Sequence, residues 1–167
     1  YAITPTDLGA DIAYGKYDGT NYGWVFCEGR TYAIKYLPDV PASYDANGVP
    51  LQSAWVTVNN TTYLSWADIT WNDIKGYWLA SGNNYDLLRR ANLTTGDWEV
   101  IKSDSLVYGG VTTTNTGRTI TFLRDSGQVF YSDNINVALG SITWTEVKKG
   151  ITAILDYASG TTDGVWG

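Results

Sequence analysis

A tryptophan-led segment returns along this chain at a nearly fixed interval. Trp55-Val-Thr-Val, Trp98-Glu-Val-Ile and Trp144-Thr-Glu-Val begin 43 and 46 residues apart. Other marks keep step: Ile12, Ile69, Val111 and Ile154 open comparable stretches, and Trp24, Trp78, Phe122 and Trp166 follow them. A period in the forties built only from strand-like segments belongs to radial β-repeats, so the repeat constrains the fold before any single residue does.

The composition agrees with strands. The 167 residues include 8 Trp, 13 Tyr and 18 Gly, with no Met and no His. Aromatics and Thr suit a pleated, half-buried surface, and Gly suits the turns between strands. The length fits one domain with a sizeable core. No sustained apolar spacing of three and four residues argues for a helix.

Laid side by side, the units each read as four short strands, A to D. The first holds Asp11-Ile-Ala-Tyr-Gly, Gly23-Trp-Val-Phe-Cys, Thr31-Tyr-Ala-Ile-Lys-Tyr and Trp55-Val-Thr-Val. The second holds Asp68-Ile-Thr-Trp, Gly76-Tyr-Trp-Leu-Ala-Ser, Tyr85-Asp-Leu-Leu-Arg and Trp98-Glu-Val-Ile. The third holds Gly110-Val-Thr-Thr-Thr, Thr119-Ile-Thr-Phe-Leu, Gln128-Val-Phe-Tyr-Ser and Trp144-Thr-Glu-Val. Polar turns rich in Gly, Asn and Asp separate B from C, as hairpins require. The first unit is longer because Pro38, Pro41, Asn47-Gly48 and Pro50 mark an insertion between C and D. Four antiparallel strands per unit at this period is the arithmetic of a β-propeller blade. The expected fold is therefore all-β, a propeller-like array in a single segment over 1–167. Its full blades are expected near 12–58, 69–101 and 111–147, with partial blades at 1–4 and 153–167. Both ends read as cut from a longer periodic chain: further blades or another subunit would complete the ring, or the segment is an open array.

Tyr131-Ser-Asp-Asn, followed by Gly140-Ser-Ile-Thr-Trp144, resembles the Asp-box, or bacterial neuraminidase repeat, with its Ser-x-Asp-x-Gly-x-Thr-Trp pattern. Ser132 and Trp144 stand farther apart than in that family, so the box here carries an insertion. The resemblance implies a propeller of the kind found in bacteriophage and bacterial surface proteins. It also implies structural roles for Ser132, Asp133, Gly140, Thr143 and Trp144. Asp133 would accept backbone N–H groups of the C–D turn, and Trp144 would pack between blades.

Most chemistries lack their residues. Without His, the usual triads, general bases and zinc sites are missing. No glycine-rich phosphate loop occurs. The acidic residues lie singly in turns, where solvated caps are the ordinary reading, so no metal and no cofactor are expected. A sialidase-like site needs a cluster of arginines for the sugar carboxylate. Arg30, Arg89, Arg90, Arg118 and Arg124 lack that family's sequence context. Cys27 is a lone thiol and reads as a small buried hydrophobe. A net charge of −6 argues against nucleic acid, which needs clustered Lys and Arg. No apolar run approaches a membrane-spanning helix, so no membrane insertion is expected.

Recognition of a glycan or host-surface receptor is the remaining expectation, because aromatic side chains stack on sugars and short polar loops supply hydrogen bonds. One rim is expected to carry Glu28, Arg30, Asn83, Asn84, Arg124 and Asp125 from the B–C turns, with Tyr63 and Trp66 from a D–A link. The other carries Tyr44, Trp71, Asp73 and Arg118. Trp66 and Trp71 lie nearest the loops and are the tryptophans expected to touch ligand. Most of the rest recur in phase with the repeat and are expected in the core. The function so read is a non-catalytic extracellular or virion surface module, such as part of a phage tail fibre, spike or head appendage. A sialidase-like or polysaccharide-degrading enzyme with catalytic residues outside the segment, and a structural assembly module, are the alternatives.

Overall fold

The computed structural model describes residues 11–28, 33–58, 66–82, 86–106, 108–123 and 126–148. They form twelve strands in three sheets. The first sheet holds β1 (Asp11–Lys16), β2 (Tyr22–Glu28), β3 (Ala33–Pro38) and β4 (Val56–Thr57). The second holds β5 (Trp66–Asn72), β6 (Tyr77–Gly82), β7 (Asp86–Arg90) and β8 (Glu99–Ser103). The third holds β9 (Tyr108–Thr113), β10 (Thr119–Leu123), β11 (Val129–Ser132) and β12 (Thr145–Lys148). Within each sheet the strands lie in chain order and every neighbour is antiparallel. The expected all-β class and the four strands per unit are both present. The expected partial blades at 1–4 and 153–167 lie outside the described residues.

The repeat is visible in the pairing. Tyr14 pairs with Trp24, Trp71 with Trp78, and Thr113 with Thr119, each joining the first strand of its sheet to the second. The turn after each first strand contains a glycine at positive φ: Gly19, Gly76 and Gly117. Only glycine enters that region without steric cost. The insertion in the first unit is the 39–55 segment, which includes two single turns of 3₁₀ helix, Pro41–Ser43 and Gln52–Ala54.

The sheets pack face to face in chain order, with β1 against β5 and β5 against β9. Side chains alternate across a strand, so each sheet has a forward side and a backward side. Between the first two sheets lie Val25, Cys27, Ile34 and Tyr36 from one side, and Ile69, Trp71, Trp78, Ala80 and Leu88 from the other. Between the second and third lie Leu79, Leu87 and Ile101 against Tyr108, Val111, Leu123 and Ile135. Fully burying one such Leu or Ile is worth about 1.5–3 kcal/mol.

Hydrogen bonds repeat across both junctions. The Ile69 amide donates to Asp11 Oδ2 at 2.8 Å, and the Val111 amide donates to Asp68 Oδ2 at 2.8 Å. Both carboxylates sit one residue before the marker that opens the unit, and both grip the marker of the next unit. Trp78 Nε1 donates to the Lys16 carbonyl at 2.8 Å, and Trp144 Nε1 donates to the Ile101 carbonyl at 3.2 Å. The recurring tryptophans therefore tie one sheet to the one before it. Gly15 is required by this packing. A Cβ there would collide with the ring of Trp71.

Candidate functional site

β1 and β2 alternate in and out of the core. Ala13, Gly15, Val25 and Cys27 point toward the second sheet, so Ile12, Tyr14, Lys16, Tyr22, Trp24 and Phe26 share the opposite face. Tyr14, Tyr22 and Trp24 remain 36%, 41% and 40% exposed. The expectation that the in-phase tryptophans are core fails at Trp24, because no described sheet covers this side. Tyr14 and Tyr22 stack with centroids 5.5 Å apart and planes 16° apart, and Trp24 leans on Tyr14 at 4.9 Å.

Acids hold this aromatic row at the end of the sheet where the insertion begins. Tyr14 Oη donates to Asp39 Oδ2 at 2.7 Å, and Tyr44 Oη donates to Asp39 Oδ1 at 2.9 Å. Tyr22 Oη donates to Asp73 Oδ1 at 3.3 Å, and Trp71 Nε1 donates to the same oxygen at 3.1 Å. Lys16 Nζ lies 3.9 Å from that oxygen and 5.5 Å from the Tyr22 ring centre. The result is a line of aromatic surface running from Asp39 through Tyr14 and Tyr22 to Asp73. The bond to Asp39, then burial and the Asp39 charge, pushes the Tyr14 phenol up to about 12. Burial, then the bond to Asp39, raises Tyr44, against a bond from Trp24 that lowers it. Both phenols therefore stay protonated donors at neutral pH. Asp45 fixes the insertion by accepting the Asn47 and Val49 amides, each at 2.8 Å.

Tyr44 and Asp73, expected on one rim, do come together here. Trp71 does not reach a ligand surface. It is 4% exposed, packed on Trp78 at 5.3 Å, because the first sheet covers it. Trp66 opens β5, paired with Gly82, and is not part of a D–A link. Arg30, Tyr63, Asn83, Asn84, Arg124 and Asp125 lie outside the described residues, as do the side chains of Glu28 and Trp66. Sequence reading missed Tyr14, Tyr22, Trp24 and Asp39. The signal was available in the period-two spacing of aromatics along β1 and β2, which puts them on one face.

The residues expected to form an Asp-box are partly reassigned. Asp133 does not cap the C–D turn of the third sheet. It is exposed and takes Arg118 in a two-pronged pair, Nε at 2.8 Å and Nη2 at 3.0 Å. That contact holds the Asp133 carboxyl low and Arg118 high, in each case chiefly through the hydrogen bond. Asn134 is the cap. Its Oδ1 accepts the Thr143 amide at 3.0 Å and the Thr143 hydroxyl at 3.2 Å, while its Nδ2 donates to the Ser141 carbonyl at 3.1 Å. Ser132 is buried with its hydroxyl 3.0 Å from Asn134 Oδ1. Gly140 lies in an exposed 3₁₀ turn, Leu139–Ser141. The physical reason is direction: alternation turns Asp133 toward solvent and Arg118, and its neighbour toward the turn. Asn92 does the same work in the second sheet. Its Oδ1 accepts the Thr94 and Thr95 amides at 2.8 and 3.2 Å, and its Nδ2 donates to the Asp18 carbonyl at 2.7 Å.

The described arginines are engaged. Arg89 is buried. It bonds Glu99 Oε2 at 2.7 Å, the Val137 carbonyl at 2.8 Å and the Ile135 carbonyl. Arg90 donates to the carbonyls of Asn92, Leu93 and Thr95, holding the turn after β7. Among the described residues, no three acidic, Cys or His side chains converge as a metal would require.

Comparison with protein-family models, with curated proteins and with solved structures gave no match.

Proposed function

We propose that the chain is a run of propeller-like blades of Asp-box type that recognises a glycan or host-surface receptor, without catalysis, on an extracellular or virion surface. The rim cluster of Tyr14, Tyr22 and Tyr44 with Asp39, Asp73 and Lys16 carries this reading. A pyranose offers an apolar C–H face to an aromatic ring and hydroxyls to flanking acceptors. This cluster supplies both, on side chains held by hydrogen bonds, so little ordering is lost on binding. The blade reading is supported by three four-stranded sheets whose first strands lie next to one another. The Asp-box kinship is supported by the Ser132, Thr143 and Trp144 contacts, with Asn134 in the acid's place. The commitment of Arg89, Arg90 and Arg118 to structural partners favours recognition over a sialidase-like reaction in this segment.

A glycan array probed with the intact protein tests the reading. Binding is expected, and Tyr22→Ala and Asp73→Asn are each expected to weaken it by about tenfold, as an anchor residue does. A folded protein that binds no glycan rejects the proposal. Turnover of a sialoside or polysaccharide rejects its non-catalytic part.

A further inference from the structure

The aromatic donors of the Asp39 and Asp73 cluster are already committed inside it. Tyr14 and Tyr44 donate to Asp39, Tyr22 and Trp71 donate to Asp73, and Trp24 donates to Tyr44. A phenol and an indole each have a single hydrogen to give, so none of these side chains has another for a ligand. Acceptor capacity is what remains. A carboxylate takes about four hydrogen bonds, and each Asp39 oxygen holds one phenol. Asp73 takes its contacts on Oδ1. Among the described residues its Oδ2 accepts none, and the side chain is 60% exposed.

Charge points the same way. Asp39 and Asp73 outweigh Lys16, in a chain whose net charge is −6. Lys16 itself shows where a cation is held. It stands directly opposite Tyr22 across β1 and β2, so the register sets its ammonium near the ring. That ammonium lies 5.5 Å from the Tyr22 ring centre and 3.9 Å from Asp73 Oδ1. A π face and a carboxylate each attract an ammonium. Tyr22 is 41% exposed, and the open Oδ2 of Asp73 is a further acceptor for a cation from outside.

We propose that this site takes glycans bearing free amino groups, with the ligand's ammonium on Asp73 Oδ2 beside the Tyr22 ring and sugar hydroxyls donating to Asp39. This rests on the glycan reading above and narrows it. A sugar carrying carboxylate, sulfate or phosphate meets two carboxylates and finds only Lys16 as a side-chain donor of the cluster. An N-acetylated sugar keeps its hydroxyl bonds and loses the ion pair.

Isothermal titration calorimetry of the whole chain, in low-salt buffer just below neutral pH, tests the proposal. The probes are a glucosamine oligomer, its N-acetylated form and an oligogalacturonate of the same length. The glucosamine oligomer is expected to bind about tenfold more tightly than the N-acetylated one, the combined scale of an exposed ion pair and a cation–π contact. The oligogalacturonate is expected not to bind. Asp73→Asn is expected to bring the first two to parity. Asp133→Asn changes the net charge equally, but Asp133 is held by Arg118 of the third sheet, and the preference is expected to survive. Lys16→Gln removes the competing ammonium and is expected to strengthen binding of the glucosamine oligomer alone. Far-UV circular dichroism confirms that each variant is folded. Equal binding of the charged and N-acetylated oligomers, or a preference for the oligogalacturonate, overturns the proposal and leaves glycan recognition standing. Equal losses in Asp73→Asn and Asp133→Asn overturn it too, since the attraction would then belong to the whole acidic surface. Should Asp73→Asn fail to fold, an unchanged affinity in Lys16→Gln overturns it. A protein that binds other glycans on an array but no amino sugar overturns this proposal only; one that binds no glycan rejects the underlying reading with it.

Discussion

At the residue scale, adjacent polar side chains on one strand end do different jobs because alternation aims them differently. Asn134 accepts two groups from Thr143 and donates to Ser141, so it holds a turn closed. Asp133 holds Arg118 in solvent. Asn134→Ala is expected to destabilise the protein by about 1–2 kcal/mol, the usual cost of losing a capping side chain. Asp133→Ala is expected to leave the melting temperature unchanged, as exposed ion pairs generally do. Thermal unfolding of the two variants side by side checks this. Equal losses would mean that the ion pair also supports the turn. Ser132, Thr143 and Trp144 were singled out in the sequence as structural residues. Which side chain caps the turn was not legible, because a Ser-Asp-Asn string does not say which of its last two side chains faces inward.

At the element scale, the sheets are joined by a bond that the repeat encodes twice. Asp11 and Asp68 each reach from the edge of a first strand to a backbone amide of the next. A buried amide left without an acceptor costs its desolvation. Asp68→Ala is expected to lower stability by about 1–3 kcal/mol, read from denaturant unfolding. An unchanged midpoint would show that water replaces the carboxylate without loss. The strands themselves were legible from Thr and aromatic alternation. The junction bonds were not, since an Asp before a strand also reads as an ordinary turn residue. Arg89 and Arg90 posed the same problem. They are neighbours in sequence, but one reaches forward into the turn of the third sheet and the other holds the turn of its own.

At the scale of the whole molecule, three sheets share two buried seams, and Cys27 reports on the first of them. It is fully buried, and its thiol is pushed well up by that burial and then by the charges of Asp11 and Asp68. A thiol in this state reacts only when the structure opens. Labelling by an aromatic disulfide is expected to be negligible in buffer and to rise with denaturant in step with the loss of β-sheet circular dichroism. Labelling at the rate of a free thiol in buffer would show that the seam between the first two sheets opens locally. The aromatic and acidic cluster also belongs to this scale. Its acids follow strands of two different sheets, Asp39 after β3 and Asp73 after β5, and Asp73 meets Tyr22 and Lys16 of the first sheet only because the sheets are stacked.

The sequence by itself determined the strand class, four strands to a unit, the glycine turns and the insertion after β3. These follow from side-chain alternation, turn chemistry and a spacing, which are local properties. Only the tertiary structure decided which faces are covered. Tyr14 and Trp71 hold the same place in their units and pair with Trp24 and Trp78 in the same register. One is open and the other is sealed, because burial is set by the sheet next door and no local pattern records whether that neighbour is there.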